Sequence, residues 1–336
     1  MRQRIAFGIA VAALAVAVLV AAFVGAADLN PLATAAALLH LPTSLDPLDK
    51  AVLFQIRLPR VVLGALVGGL LSLAGAGYQG VFRNPLVDAG MLGASAGAGL
   101  GATIAIVYLG AAGREAVPVA AFVGSLAGVA AAYATGAAAS RRTILGGGVA
   151  TLLLAGVAVG SFLTAAQTFL LQRSASDIQA VYSWLLGSLS AASWQQVMTI
   201  VPYAAVSSIV ILLHGRHLDV LSVGDEEAQA LGLHPGRVRA VVVAASALAA
   251  ASAVAVSGLI GFVGIVVPHI ARRVAGPSYV SVLPLSALLG AGFLVLADTL
   301  ARTVLSPAEL PIGVVTALVG APAFVWVLRG TSHVGT

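Results

Sequence analysis

Ser95 lies in the pattern Gly93-Ala94-Ser95-Ala96-Gly97, which matches the G-x-S-x-G motif of serine nucleophiles. Such a serine is reactive when it lies on a sharp turn between a strand and a helix. Here it lies in a long apolar run, rich in glycine and alanine, with no strand-like segment before it. We therefore expect these glycines to serve helix packing. The alternative is an intramembrane serine protease that uses His269, because no other histidine lies inside an apolar run.

The residue content disfavours both a nucleotide site and a metal site. A phosphate-binding P-loop requires G-x-x-x-x-G-K-[ST], whose lysine reaches the phosphates. The only lysine is Lys50, and no glycine-rich loop precedes it. There is no cysteine, and the six histidines form no H-x-x-x-H or carboxylate cluster. We expect no enzymatic activity, no metal site and no cofactor in this chain. If ATP drives it, another subunit binds the ATP and its Mg²⁺.

The composition indicates which kind of element holds these residues. Of the 336 residues, 60% are hydrophobic and only 9% are charged, and the mean hydropathy is +1.05. A soluble chain carries roughly 25% charged residues, which cover its surface. The sequence therefore predicts an all-α polytopic membrane protein. The high apolar content excludes a disordered chain, and the absence of cysteine excludes a disulfide-stapled secreted domain.

Long apolar runs predict about ten membrane-spanning helices in one domain, residues 1–336. A bilayer core requires roughly 20 helical residues per crossing. Runs without an interior charge, apart from Glu309 in the last of them, cover residues 5–27, 61–82, 89–113, 116–140, 143–172, 178–213, 240–270, 274–297 and 304–328. The sixth is expected to divide within residues 187–193 into a re-entrant piece and a span, and the seventh near Ser257 and Gly258. A signal peptide is the alternative for the first run, but its length favours a retained span.

The basic residues predict that both termini are cytoplasmic, because cytoplasmic loops carry an excess of Lys and Arg. With ten crossings and the N-terminus inside, eleven bases fall on the inner side and six on the outer side. The inner bases are Arg2, Arg4, Arg83, Arg141, Arg142, Arg216, Arg237, Arg239, Arg272, Arg273 and Arg329. The outer bases are Lys50, Arg57, Arg60, Arg114, Arg173 and Arg302. Arg57, Arg60 and Arg302 stand out as bases where bases are disfavoured.

Glycine pairs four residues apart predict close helix packing. Helices in lipid associate through close backbone approach, which small residues permit. The pairs are Gly64/Gly68, Gly93/Gly97, Gly97/Gly101, Gly124/Gly128 and Gly156/Gly160. The alternative interpretation is that these pairs form close-packed walls around a pathway whose helices slide or tilt.

The longest polar interruption covers residues 214–239 on the inner side. Ser222, followed by Asp225 three residues later, resembles a capping box, and Gly232 is typical of a helix end. The pattern predicts a solvated helix of about three turns, too short to span a membrane. Its apolar residues are Ala228, Leu231 and Leu233. A solvated connector is one interpretation, and a docking helix that presses these residues into a partner's groove explains the pattern better.

Six blocks of the sequence occur in the order found in one known family. They are residues 56–60 (I-R-L-P-R), 82–86 (F-R-N-P-L), 152–156 (L-L-L-A-G), 224–232 (G-D-E-E-A-Q-A-L-G), 261–269 (G-F-V-G-I-V-V-P-H) and 309–316 (E-L-P-I-G-V-V-T). Jointly they resemble the FecCD permeases, the membrane subunits of binding-protein-dependent ABC importers. The resemblance implies a cobalamin-permease-like importer fold and a homodimer or homologous heterodimer. It also implies two ATP-binding cassette subunits and an extracytoplasmic substrate-binding protein.

The resemblance implies a docking role for Arg57, Arg60 and Arg302. These arginines would hold carboxylates on the two lobes of the binding protein, for which the forked guanidinium is well suited. Because Arg302 follows Asp298 by four residues, an ion pair within one helix is the alternative, and both can hold.

The resemblance also implies coupling and gate positions. The segment around Ser222–Leu233 is similar to the coupling helix that sits in a cleft of the ATPase. Its candidate contact residues are Ser222, Asp225, Glu226, Glu227, Ala228, Leu231 and Gly232. Asn84 and Leu86 match an inner gate near the dimer axis. Val149 and Ala150 occupy a second gate position that holds a hydroxyl pair in the cobalamin permease, and this departure weakens cobalamin as cargo.

The expected function is ATP-driven import of a ferric siderophore or haem across the bacterial cytoplasmic membrane by alternating access. Cobalamin is the alternative cargo within the same family. An ion-coupled secondary transporter is the more distant alternative, because the apolar runs contain no midway acid of the kind that ion relays use. Membrane lipid is an expected partner, and nucleic acid is not.

Overall fold

The computed structural model describes residues 2–25, 29–110, 115–140 and 148–331, and these ranges contain helices and no strand. The helices are α1 (Arg2–Phe23), α2 (Pro31–Leu38), α3 (Pro47–Ala51), α4 (Leu58–Phe82), α5 (Ala94–Leu109), α6 (Ala116–Ser140), α7 (Gly148–Arg173), α8 (Ile178–Leu185), α9 (Trp194–Leu213), α10 (Gly215–Val223), α11 (Asp225–Ala230), α12 (Pro235–Ser257), α13 (Val263–Ala275), α14 (Tyr279–Ala301) and α15 (Ile312–Thr331). A π-helical segment, Val52–Arg57, joins α3 to α4. The all-helical prediction is confirmed for the described residues.

Seven helical segments in the described part of the chain are long and apolar enough to cross a membrane. They are Gln3–Phe23, Pro47–Phe82, Ala116–Ala139, Ala150–Arg173, Trp194–Leu213, Pro235–Ser257 and Tyr279–Ala301. The apolar helix α5 and the described part of α15, Ile312–Val325, are shorter. The chain is therefore a multi-pass membrane protein. Among the residues used to predict orientation, Arg114, Arg141 and Arg142 lie outside the described residues.

α4 is the central helix, and it is buried along most of its length. It packs against α14, α12 and α13. Close approach to α14 and α13 requires glycine, because a Cβ on Gly68 would collide with the Gly290 carbonyl and a Cβ on Gly75 with that of Gly264. Backbone-to-backbone packing of this kind replaces the hydrophobic effect as the source of helix association in lipid.

The glycines of α5 and α6 pack in the same way. A Cβ on Gly97 would collide with the Gly124 carbonyl oxygen, and a Cβ on Gly128 with that of Gly93. Close packing is thus confirmed for the glycines of the 93–101 and 124–128 pairs. Gly160 differs, because an added Cβ there would have no neighbour within 4 Å.

Both predicted breaks in the long apolar runs are confirmed. α8 ends before Gly187, and α9 starts after the N-cap Ser193, whose hydroxyl accepts the Gln196 N–H at 3.3 Å. α12 ends at Ser257, and α13 starts at Val263. Other boundaries were wrong: the run predicted for residues 304–328 becomes helical only at Ile312, and the run from residue 89 only at Ala94, which Gly93 precedes with φ +83°.

Three non-helical segments meet where these breaks lie. Ser188 N–H donates to the Ser257 carbonyl at 2.9 Å, which joins the start of the α8–α9 loop to the end of α12. Ile312 N–H donates to the Gly187 carbonyl at 3.2 Å, and Gly313 N–H to the Leu186 carbonyl at 3.0 Å. Irregular backbone inside a membrane protein must satisfy its polar groups within the protein. These bonds therefore hold the C-terminal ends of α8 and α12 and the first residues of α15 together.

The predicted solvated helix at residues 222–233 divides into shorter pieces. Ser222 lies in the last turn of α10, which ends at Val223, and its hydroxyl donates to the Asp219 carbonyl at 2.6 Å, so the capping-box prediction is wrong. Gly224 is the N-cap of α11 instead, and a Cβ there would collide with the Glu227 carboxylate. α11 consequently has six residues rather than about three turns. Its predicted end is confirmed, since Gly232 has φ +80°.

Candidate functional site

Arg60 forms a buried ionic cluster with two carboxylates on the α14 side of the chain. Its Nε and Nη2 donate to Asp298 at 2.9–3.0 Å, and its Nη1 and Nη2 donate to Glu309 at 2.8 and 3.0 Å. The side chains of Arg60 and Asp298 are 9% and 4% exposed, whereas that of Glu309 is 36% exposed. Glu309 is therefore the accessible member of this cluster.

Arg302 and Arg57 cap the C-terminus of α1. Arg302 Nη2 donates to the Ala21 carbonyl at 2.6 Å, and Arg57 Nη1 donates to those of Ala22 and Phe23 at 3.1 Å each. The last carbonyls of a helix have no partner within the helix, and a cation favours that end. Arg302 Nε also lies 3.7 Å from Asp298 Oδ2, so the predicted i,i+4 pair is present.

The three arginines that the resemblance singles out lie in one cluster, and they are not exposed. Arg57, Arg60 and Arg302 are 3%, 7% and 4% exposed, so their guanidinium groups are buried within this chain. The reason is that acids and helix-end carbonyls of this chain already occupy them. The spacing of four residues predicted the pair Asp298–Arg302. No local pattern marks Glu309 as a partner of Arg60, because the two lie 249 residues apart in the chain.

The loop of residues 83–93 connects α4 to α5 and contains the predicted gate residues; it is called the gate loop below. Arg83 ends α4 in the left-handed conformation, with φ 48°. Asn84 Oδ1 accepts the Leu86 N–H at 2.9 Å, and Leu86 is 47% exposed. Ala150 lies exposed near the start of α7. The side chain of Val149 lies outside the described residues.

Asp225 connects the segment of α10 and α11 to two other helices. Its carboxylate accepts two bonds from Arg239 of α12, at 2.8 and 2.5 Å, and lies 3.2 Å from Nη2 of Arg83 in the gate loop. The hydrogen-bonded Arg239 guanidinium holds the pKa of the Asp225 carboxyl below its usual range. The carboxylate thus remains charged across the physiological pH range, with a cation on each side.

Asp219 ties the same segment to a third helix. Its Oδ1 accepts the Tyr279 N–H at 2.6 Å and its Oδ2 accepts the Ser278 hydroxyl at 2.7 Å, at the start of α14. A carboxylate at a helix N-terminus is favoured by the helix dipole. α10 and α11 are therefore braced against α4, α12 and α14 through side chains that sequence analysis did not assign to contacts within this chain.

The remaining predicted coupling residues differ in exposure. Ala228 is fully buried against this chain's own core, so it is not available to press into a partner. Leu231 is 72% exposed, so it is an accessible apolar side chain of the segment, as is Val223 at 69%. The exposed polar and glycine positions are Ser222, Glu226, Glu227 and Gly232.

A cavity of about 810 Å³ lies between the start of α5, α7 and the end of α8. Its polar lining residues are Ser95, Ser161, Thr164, Gln167 and Thr168, and none of its lining residues is charged. α7 is little buried within the chain, and Phe162 and Phe169 are 72% and 58% exposed.

Ser95 lies in the first turn of α5, after a loop rather than a strand. It therefore lacks the strand–turn–helix context of a G-x-S-x-G nucleophile. Within the described residues, no group of three or more His, Asp or Glu side chains is placed to hold a metal ion.

Residues 13–330 match the family model described as the FecCD transport family. The chain belongs to the FecCD transport family. The resemblance drawn from the six sequence blocks is thereby confirmed, and this FecCD protein is a permease subunit of an ABC importer.

Relatives of this FecCD permease cover most of its length. It is 43% identical to the uncharacterized ABC transporter permease YvrB of Bacillus subtilis, over 84% of this chain and 80% of that protein. It is 41% identical to the cobalamin import permease BtuC of Halobacterium salinarum, over 83% of this chain and 74% of that protein. It is 39% identical to the hemin transport permease HmuU of Yersinia pestis, over 82% of both.

A solved structure also matches. It is described as an inward-facing metal-chelate type ABC transporter, and it superposes with a TM-score of 0.82 at 30% identity, covering 97% of this chain and 99% of that one.

Proposed function

We propose that this permease moves a metal chelate, a ferric siderophore or haem, across the bacterial cytoplasmic membrane. The observation that carries the proposal is the cavity along α7, about 810 Å³ in volume, whose lining includes hydroxyl and amide groups but no charge. A cavity of this size suits a compact organic ligand. Neutral, weakly polar walls suit a large cargo that must pass without being held tightly. The relatives named for hemin and the metal-chelate transporter support the same cargo class.

The chain forms one transmembrane domain, residues 1–336, with ten spans and both termini in the cytoplasm. The seven long apolar segments, together with α5, α13 and α15, supply the ten. A second permease copy, or a close homologue, packs against the exposed face of α7, which carries Phe162 and Phe169. The cargo pathway then runs between the two copies and includes the α7 cavities of both.

Two ATP-binding cassette subunits power the cycle from the cytoplasmic side, where they also hold ATP and Mg²⁺. The segment of α10 and α11 docks on them through the exposed Leu231 and the acids Glu226 and Glu227. Asp225 transmits its movement to α12 and to the gate loop through Arg239 and Arg83. The residues at and near the inner end of the pathway, Asn84, Leu86, Val149 and Ala150, form the gate. The inner and outer ends of the pathway open in turn, and this gives alternating access.

A substrate-binding protein docks on the outer face near the cluster of Arg57, Arg60 and Arg302. Because Glu309 is the accessible acid in this cluster, an acid of the binding protein reaches Arg60 by replacing Glu309. Such an exchange keeps the buried guanidinium paired throughout, which avoids the cost of an unpaired buried charge.

The proposal is tested in proteoliposomes that contain the permease, its ATPase and its binding protein. We expect ATP-dependent, vanadate-sensitive uptake of ferric hydroxamate, ferric citrate or haemin. Uptake of cobalamin alone would favour the alternative cargo, which the relative named as a cobalamin permease supports. Uptake driven by an ion gradient without ATP would refute the proposal.

A matched pair of variants tests the pathway. Thr164→Trp fills the α7 cavity and should abolish uptake. Val123→Trp places the same ring at an exposed position of α6, 58% exposed, and should leave uptake intact. Equal uptake by the two variants would show that the cavity is not the pathway.

A further inference from the structure

Pro268 leaves one carbonyl of α13 without its helical partner. Proline has no N–H, so the carbonyl four residues earlier loses its donor. In α13 that carbonyl belongs to Gly264. The Gly264 oxygen is instead bonded by the side chain of Gln79 on α4, whose Nε2 lies 3.0 Å away.

The Gln79 side chain, on a residue only 1% exposed, uses its full amide. Its second Nε2 hydrogen donates to the Val87 carbonyl at 3.2 Å, and its Oε1 accepts from Nη2 of Arg272. The amide orientation is fixed by chemistry, because the nitrogen faces two acceptors and the oxygen faces a guanidinium, which can only donate. If the side-chain nitrogen and oxygen of Gln79 exchanged positions, all three hydrogen bonds would be lost.

Gln79 also holds the gate loop at two points. Its backbone carbonyl accepts the Asn84 N–H at 3.2 Å, and its side chain holds the Val87 carbonyl three residues later. Leu86 lies between these points, with its own N–H bonded to Asn84. The anchor itself is rigid, since α4 and α13 meet backbone to backbone at Gly75 and Gly264.

The geometry points to Gln79 as the positioning residue of the inner gate. It joins the Pro268 break of α13 to the gate loop, so that Leu86 takes its position from α13 and follows that helix when the transporter changes state. This inference rests on the proposed function, because it assigns a position to the proposed gate. Gln79 acts through Val87 and Asn84, and it touches no cargo.

The experiment uses the absence of cysteine from the chain, which makes Leu86→Cys a single reporter thiol. Membrane vesicles hold the permease with its ATPase, and a membrane-impermeant maleimide is applied from the cytoplasmic side. In the otherwise native chain, we expect the labelling rate to change by at least about threefold between the nucleotide-free and the ATP–vanadate states. With Gln79→Leu, which preserves volume but not hydrogen bonds, the two rates should become equal.

Two further variants separate positioning from stability. Gln79→Glu keeps the acceptor for Arg272 but loses both donors, and it should behave as Gln79→Leu does. Pro268→Ala in the Gln79→Leu background returns an N–H to the Gly264 carbonyl. It should raise the unfolding temperature relative to Gln79→Leu alone, while the labelling rates of the two states stay equal because Val87 is still released.

The outcomes distinguish the alternatives. Restored state dependence in the Pro268→Ala double variant would overturn the inference, since Gln79 would then serve only the stability of α13. State dependence that survives in Gln79→Leu would also overturn it. Equal labelling in both states of the native chain would instead refute Leu86 as a gate, and with it this part of the proposed function.

Discussion

Asp225 of α11 and Arg239 of α12 form a two-pronged ion pair, with Nη1–Oδ2 at 2.8 Å and Nη2–Oδ1 at 2.5 Å. The same carboxylate lies 3.2 Å from Arg83 at the end of α4. The consecutive helices α11 and α12 and the distant end of α4 thus converge on one acid. The segment of α10 and α11 is therefore a braced element, tied through this carboxylate to α12 and to the gate loop.

Replacing Asp225 by asparagine should uncouple ATP hydrolysis from transport. The amide cannot hold both guanidinium groups, so α11 loses its charged link to Arg83 and Arg239. The cost in stability should be small, about 0–1 kcal/mol, because the Asp225 side chain is 38% exposed and solvent screens the pair. The measurement is cargo uptake per ATP hydrolysed in proteoliposomes. Glu115→Gln, an exposed acid outside the segment of α10 and α11, is the control; an equal loss in both variants would contradict the link.

Asp88 of the gate loop should make stability depend on pH. Burial raises the pKa of its carboxyl to about 6, although a hydrogen bond from the Ala89 N–H opposes this. A carboxyl whose pKa is raised on folding destabilises the folded state above that pKa, and the penalty disappears as pH falls towards the unfolded value of about 3.9.

We therefore expect Asp88→Asn to raise the unfolding temperature in detergent at pH 7.5 and to raise it by much less at pH 4.5. The comparison within one pH series controls for detergent and lipid. A pH-independent difference between the variant and the native chain would show that the charge of Asp88 is not the cause.

The two acids that pair with Arg60 should differ in their effect on stability. Asp298→Asn leaves Arg60 with one carboxylate and Arg302 with none, inside a cluster that is almost fully buried. Removing one partner of a buried ion pair lowers the free energy of unfolding by about 3–5 kcal/mol. Glu309→Gln, at a 36% exposed side chain, should cost about 0–1 kcal/mol. Denaturant unfolding of the purified permease measures both. An equal loss of unfolding free energy in the two variants would show that burial does not determine how much each ion pair stabilises the protein.

Binding-protein docking should respond to the same Glu309→Gln variant. If an external acid replaces Glu309 at Arg60, removal of the competing charge should strengthen binding of the binding protein by about threefold or more. Titration in nanodiscs measures the affinity. Weaker binding would indicate that Glu309 itself contacts the partner. Reversal of all three arginines to glutamate is a poorer test, because it would place five acids in one buried cluster.

Gly97→Ala should destabilise the α5–α6 pair. The added Cβ would collide with the Gly124 carbonyl oxygen, which belongs to a helix backbone and cannot move aside cheaply. Overpacking of this kind costs about 1–3 kcal/mol. Gly160→Ala is the matched control, because no atom lies within 4 Å of its added Cβ. Unfolding temperatures that fall equally would contradict the assigned contact.

Local features of the sequence were sufficient to predict much of the helical framework. Hydropathy is summed along a contiguous run, so the apolar segments and the breaks at Gly187 and Gly258 follow from neighbours in the chain. The same is true of the glycine contacts in α5 and α6 and of the family blocks. One error lay where two local signals compete. Ser222 has the pattern of a helix cap, but it lies in the last turn of α10, and α11 begins only after Gly224.

Only the tertiary structure decided what the charged and amide side chains do. Arg302 donates to the Ala21 carbonyl, 281 residues away in the chain. Arg60 pairs with Asp298 and Glu309, 238 and 249 residues away. Gln79 donates to the Gly264 carbonyl of α13, 185 residues away. No periodicity records such distances, because the partners become neighbours only when the helices pack. In a low-dielectric interior each buried polar group must find a partner or incur a large desolvation cost. Arg57, Arg60 and Arg302 lie where bases are disfavoured. They therefore bind carboxylates and carbonyls of this same chain, which become their neighbours only on folding.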